Sequence, residues 1–222
     1  MLSNPGPRTL LIDLDGTLTD PKPGITNCIR YALEQLGRPV PAVDDLTWCI
    51  GPPLMDSFRV LLPDADEDVA VRALGLYRER FKDTGMYENV VYDGTVEFLG
   101  VVRGQGRRLY LATSKPHVYA NPILEYFGLD GYFDGVYGSE LDGTRADKRE
   151  LLAHLLAEQG LAGNDCVMIG DRIQDANAAR HVGALSVWAD WGYGETAERD
   201  EAAPDFVCAA MPQLSELMAE VA

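Results

Sequence analysis

Basic residues are scarce in this chain: 19 Lys and Arg stand against 35 Asp and Glu, a formal net charge of −16. A surface that negative repels phosphate backbones and anionic lipid, so neither nucleic acid nor a membrane is an expected partner. No stretch approaches the roughly eighteen consecutive apolar residues of a membrane-spanning helix. The four cysteines, Cys28, Cys49, Cys166 and Cys208, are far apart, so no zinc-ligand spacing is legible. Free thiols in a reducing cytoplasm are the expectation for them. The first apolar run ends at Asp13, too short for a secretion signal, which also points to a cytoplasmic location. A phosphate loop of the G-x-x-x-x-G-K-[ST] kind, a G-x-S-x-G elbow and a G-x-G-x-x-G turn are all missing, as are repeats and low-complexity segments. With 46% hydrophobic and 9% aromatic residues, the composition is that of a folded protein with a sizeable core.

Short apolar runs bounded by polar residues predict buried strands at 8–13, 107–113, 166–170 and 185–189, with weaker candidates at 133–137 and 206–208. Helical periodicity lies between them, at 96–104, 119–126, 148–159 and 175–182. Strands alternating with helices predict an α/β fold, a three-layer, Rossmann-like parallel sheet covered on both faces. Residues 21–91 differ: they carry helical patterns at 25–36, 44–50, 55–62 and 67–84 and no convincing strand. The expected organisation is therefore a core of 1–20 plus 92–222 with an inserted α-helical bundle, 21–91, over the C-terminal edge of the sheet, where ligands of open α/β folds bind. Hinges are expected near 19–23 and 88–93.

Four segments carry candidate chemistry. Asp13 and Asp15, with Gly16, end the first strand, and side chains two apart in a strand start on one face. Paired carboxylates attract a hard divalent cation. Thr113 and Ser114 end a second strand ahead of Lys115, Pro116 and a helix, an arrangement that offers a hydroxyl and free amides to an anion. Lys148 opens a helix, where its charge opposes the helix dipole and suggests an anionic partner. Asp171 follows a third strand, and Asp175 sits near the next helix start. Each alone has an ordinary structural explanation: a D-G turn, a hydroxyl cap, a solvated lysine, a carboxylate cap. Their joint occurrence at one sheet edge is what points to Mg²⁺ plus a phosphate.

In order and spacing, DLDGTLTD, LATSK, the Lys148 segment and GDRIQD resemble the motifs of the haloacid dehalogenase superfamily, over essentially the full chain. Ile50-Gly51-Pro52-Pro53-Leu54 and Trp191-Gly192-Tyr193-Gly194 resemble segments of its phosphoglycolate phosphatase-like and 5′-nucleotidase-like branch with a helical cap. The resemblance implies that Asp13 is a nucleophile forming an aspartyl-phosphate and that Asp15 is the acid and base. It implies Mg²⁺ held by Asp13, the Asp15 backbone carbonyl, Asp171 and Asp175. Gly16, Thr113, Ser114 and Lys148 would then hold the phosphate, with Thr113 and Lys148 also counted as catalytic. Arg59, Tyr87, Lys115 and His117 are candidates for reading the leaving group. Arg172 departs from the small residue common after the Gly-Asp of the last motif.

The expected activity is hydrolysis of a small phosphomonoester, phosphoglycolate first and a nucleoside 5′-monophosphate second, by a monomer or homodimer. A phosphosugar mutase and a non-catalytic binding domain remain as alternatives. The net charge does not oppose an anionic substrate once a cation offsets the site acids, because surface charge is screened over about 8 Å at physiological salt.

Overall fold

The computed structural model describes residues 7–220. In chain order the regular elements are β1 (Thr9–Ile12), β2 (Thr19–Asp20), α1 (Lys22–Gln35), α2 (Leu54–Leu61), α3 (Glu67–Asp83), β3 (Val90–Val91), α4 (Thr95–Gly104), β4 (Arg108–Pro116), α5 (His117–Tyr126), β5 (Gly135–Ser139), α6 (Lys148–Gln159), β6 (Cys166–Gly170), α7 (Ile173–Val182), β7 (Leu185–Ala189), α8 (Thr196–Ala202), β8 (Phe206–Cys208) and α9 (Met211–Glu220). Short 3₁₀ turns join several of them, among them Asp44–Cys49, where the sequence suggests a helix.

Six parallel strands form one sheet in the order β5-β4-β1-β6-β7-β8. The sequence predicts this parallel α/β core, and its reason is visible in burial. Leu10, Leu11 and Ile12 are all fully buried, because a strand covered on both faces has no polar side to alternate with. Leu11, Tyr110, Ala112, Cys166 and Met168 point to one face and pack with Leu152 and Leu155 of α6 and Ala178 and Ala179 of α7. Fully buried Leu10, Ile12, Leu109, Leu111 and Ile169 point the other way.

β1 is central, with β4 on one side and β6 on the other. Ile12 stands level with Leu111 and with Ile169, so Asp13, Thr113 and Asp171 all leave the sheet at the same edge. Here the strand order reverses, the position at which open α/β sheets bind ligands.

Contacts divide the chain into one unit that runs through Thr19 and resumes at Val91, and a second unit, Asp20–Val90. The second unit is helical. α1 buries Ile25, Cys28, Ile29, Ala32 and Leu33. Tyr77 and Phe81 of α3 stack at 5.2 Å, and Phe58 of α2 meets Tyr77 edge-on at 6.3 Å. β2 pairs with β3 as a two-stranded ribbon, which corrects the reading of 21–91 as free of strand, since Val90 and Val91 lie within it. Two residues are too few to show a period. Among the described residues no helix is long and apolar enough to cross a membrane.

Candidate active site

The backbone of β1 carries Asp13 out of the sheet, with its N–H still bonded to the Ile169 carbonyl of β6 at 2.9 Å. Its Oδ1 accepts the Leu14 N–H at 2.8 Å and its Oδ2 lies 2.9 Å from Lys148 Nζ. The chain then turns back through Gly16, at φ +81°, whose N–H bonds the Thr19 carbonyl at 2.8 Å. A Cβ at Gly16 would sit 2.2 Å from Asp171 Oδ2, so both the turn and the approach of Asp171 require glycine.

Lys148 is the first residue of α6, and Asp147 caps the helix by accepting the Arg149 N–H at 2.9 Å. The Lys148 side chain is 3% exposed and reaches Asp13 and, by a short contact, Asp175. Burial alone lowers a lysine, but Asp13 and Asp175 outweigh that and hold its ammonium above the usual lysine range. Asp175 lies at the third position of α7, where its Oδ2 accepts the Arg172 N–H at 3.0 Å. It is therefore not the N-cap considered from sequence, a place that Arg172 takes, but an N3 carboxylate reaching back to the N-cap N–H, while its other oxygen faces the lysine.

Asp171 is fully buried. Thr17 donates its hydroxyl to Asp171 Oδ1 at 3.3 Å and Tyr193 its N–H to Oδ2 at 2.7 Å. Burial, then the charges of Asp175 and Asp13, push Asp171 well above the usual carboxylate range. Burial also raises Asp175. One carboxylate oxygen from each of Asp13, Asp171 and Asp175 lies within 4.8 Å of the others. Three buried acids against the one ammonium of Lys148 leave an excess of negative charge that a hard divalent cation on oxygen ligands would neutralise, so the donor set fits Mg²⁺. The Asp15 carboxylate does not belong to this trio.

Asp15 is 7% exposed and faces Lys115 instead, Oδ2 to Nζ at 2.8 Å. Burial raises Asp15 above the usual carboxylate range, against the lowering effect of Lys115. Thr113 is buried, and its Oγ1 accepts the Lys115 N–H at 3.2 Å. Ser114 is half-buried. β4 runs on to Pro116 with an irregularity after Thr113, so Pro116 precedes the helix at its cap position rather than lying in its first turn.

Of the leaving-group candidates, Lys115 pairs with Asp15 rather than facing an open surface, and its side chain is 6% exposed. His117 Nδ1 lies 3.2 Å from Glu140, which also binds Arg145. Arg59 is held by Asp56 at 2.7 Å and Glu67 at 2.6 Å, within the helical unit. Tyr87 ends a one-turn 3₁₀ helix and is exposed.

The sequence reading assigns no role to the segment after β7. Trp191 donates its indole N–H to the Thr17 carbonyl at 3.1 Å, and a Cβ at Gly192 or Gly194 would fall 2.3 Å from Asp171 Cβ or 2.0 Å from its carbonyl oxygen. Arg172 bonds Glu198 of α8 at 2.9 Å, and Glu198 also accepts the Ile173 N–H at 2.8 Å. The available signal was the glycine pair itself, two small residues alternating with aromatics just past a buried strand.

A family model described as haloacid dehalogenase-like hydrolase matches residues 7–183. A protein of Pseudomonas aeruginosa named 5′-nucleotidase is 44% identical over 209 residues, 94% of each chain. A protein of Mycobacterium tuberculosis named tyrosine-protein kinase PtkA is 38% identical over 195 residues, 86% of this chain and 66% of that one. The crystal structure of a predicted phosphatase from Clostridium acetobutylicum superimposes with a TM-score of 0.92 at 36% identity, covering 96% of this chain and 99% of that one. With the family-model match over most of its length, and with Asp13 paired to Lys148 at the switch point of a parallel sheet, this chain belongs to the haloacid dehalogenase-like hydrolase family.

Proposed function

We propose that the protein is a Mg²⁺-dependent phosphatase that hydrolyses a small phosphomonoester through an aspartyl-phosphate on Asp13. The observation that carries this reading is the convergence of Asp13, Asp171 and Asp175 around the buried ammonium of Lys148. Phosphoryl transfer asks little of a protein beyond alignment and charge stabilisation, and this set supplies both.

Mg²⁺ bound by Asp13, Asp171, Asp175 and the Asp15 carbonyl would neutralise charge on the phosphoryl oxygens. Lys148 holds the Asp13 carboxylate in place and offers a cation to the phosphate. Thr113 and Ser114 supply donors at the sheet edge, whereas the Gly16 N–H is taken by the Thr19 carbonyl. Asp13 attacks phosphorus while Asp15 gives its proton to the leaving oxygen; Asp15 then takes a proton from the water that cleaves the acyl-phosphate.

For the substrate, a nucleoside 5′-monophosphate moves ahead of phosphoglycolate. The support is the 44% identity, over 94% of the chain, to a protein named 5′-nucleotidase. The test is phosphate release with Mg²⁺ across nucleoside monophosphates, phosphoglycolate and sugar phosphates, compared by kcat/KM. A preference for nucleoside monophosphates is expected. Isomerisation of a sugar phosphate without phosphate release would replace this reading with a mutase.

A further inference from the structure

Two lysines are buried at the sheet edge, and they serve different carboxylates. Lys148 binds Asp13 and Asp175, while Lys115 lies 2.8 Å from Asp15 Oδ2. The other oxygen, Asp15 Oδ1, is buried and has no hydrogen-bond partner among the described residues. A buried carboxylate oxygen without a partner is costly, and such costs persist where the atom has work to do. The turn that carries Lys115 is fixed from several sides. Its N–H bonds Thr113 Oγ1 at 3.2 Å, and Ser139 of β5 donates its hydroxyl to the Ser114 carbonyl at 2.8 Å. A Cβ at Gly138 of β5 would lie 2.5 Å from the Lys115 carbonyl oxygen, so β5 is pressed against this turn.

We infer that Lys115 is the positioning residue of the acid: it grips Oδ2 of Asp15, so that Oδ1 alone exchanges the proton with the leaving group and then with water. The inference rests on the proposed role of Asp15 as acid and base. Free carboxyl oxygens are equivalent, and rotation about the Cβ–Cγ bond interchanges them. A cation locked onto one removes that degeneracy and aims the other, the kind of preorganisation that keeps reacting atoms in line. In the first step the Asp13–phosphorus bond forms, the bond to the leaving oxygen breaks, and the proton on Oδ1 passes to that oxygen. In the second, Oδ1 takes a proton from water as the water oxygen bonds phosphorus and the Asp13–phosphorus bond breaks. This places Lys115 behind the acid rather than at the leaving group, where the sequence reading had it.

The test separates leaving groups. An alkyl phosphate needs its departing oxygen protonated, whereas p-nitrophenyl phosphate expels a stable phenolate unaided. In the Mg²⁺-loaded enzyme, Lys115→Met is expected to lower kcat/KM for adenosine 5′-monophosphate by about 100-fold, within the usual reach of acid–base catalysis. For p-nitrophenyl phosphate the loss should be only a few-fold, with Lys115→Arg recovering part of the difference. Lys115→Gln reads the same ratio if the methionine variant does not fold. Asp15→Asn should show the same selectivity more strongly. Equal losses on both substrates in the Lys115 variants, beside a selective Asp15→Asn, would overturn the positioning role alone. A raised KM for the nucleotide with kcat intact would do the same and return Lys115 to the leaving group. An unselective Asp15→Asn would remove the acid assignment, and this inference with it.

Discussion

Gly192→Ala tests whether the segment after β7 holds Asp171 in place. The added methyl would lie 2.3 Å from Asp171 Cβ, 2.4 Å from its Oδ2 and 2.5 Å from the Gly16 carbonyl oxygen, against ordinary contact beginning at 3.4 Å. Relief therefore demands about 1 Å of movement, shared between the Asp171 loop, the Gly16 turn and the inserted residue. None of the three has room nearby, because Asp171 is fully buried and Gly16 already abuts its carboxylate. Overpacking of this kind costs about 1–3 kcal/mol of stability. Disturbing the group that orients a metal ligand typically weakens metal binding about 10- to 100-fold. Thermal melts with and without Mg²⁺, together with calorimetric titration of Mg²⁺, read both effects on the same protein. Gly100→Ala is the matched control, since a Cβ there meets nothing on the exposed side of α4 and exchanges glycine for a better helix former. A Gly192→Ala protein with wild-type Tm and wild-type Mg²⁺ affinity would show that Asp171 is positioned by something else.

Asp13→Asn is expected to abolish phosphate release while leaving the circular dichroism spectrum unchanged; substantial turnover would remove Asp13 as nucleophile. Asp171→Asn should stop activity yet raise the Tm of the metal-free protein, by about 1 kcal/mol in stability, because a buried charge that repels Asp175 and Asp13 is removed. The sign follows from the raised folded-state value. Protonated Asp171 favours the fold below the unfolded aspartate value, and that advantage is lost as pH rises through the folded value, so metal-free protein should gain stability on mild acidification. Mg²⁺ should reverse this trend, and a metal-free melt insensitive to pH in that window would count against the crowded-acid picture. In the helical unit, Arg80 binds Glu88 through two hydrogen bonds of 2.7 and 2.9 Å and holds its carboxyl below the usual range. That stability is present above the unfolded glutamate value and is lost as pH falls through the lower folded one. Glu88→Gln should therefore cost about 1 kcal/mol near neutral pH and flatten the acid limb of the melt profile.

The parallel core was legible because strands buried on both faces write themselves as unbroken apolar runs, as in TLLI and CVMIG. Asp13, Asp171 and Asp175 were legible only together, since each alone has an ordinary structural explanation and their joint occurrence at one sheet edge does not. Other features depend on which distant side chain arrives. Lys115 stands beside Pro116 in a way that says nothing of Asp15, a residue one hundred positions earlier that meets it only through strand pairing. Arg107 reads as the start of a strand, yet its guanidinium bonds the Pro7 and Met218 carbonyls. α9 did carry a signal, Met211, Leu214 and Met218 at helical spacing, all buried. It is weakened by the acidic residues around it.

The central place of β1 has a consequence for synthesis. Its neighbours are β4 and β6, and Thr17 must wait for Asp171, 154 residues later, before the two meet. At about 5–20 residues per second, that is a delay of roughly 8–30 s during which at least the β6 side of an apolar strand stays unpaired. Contacts within Asp20–Val90 are local by comparison and can form first. A chain halted on the ribosome before β6 would carry Asp13, Asp15 and Lys148 without Asp171 and Asp175. Competence for chemistry thus arrives late and all at once, and the exposed first strand is the natural client for a chaperone in the interval.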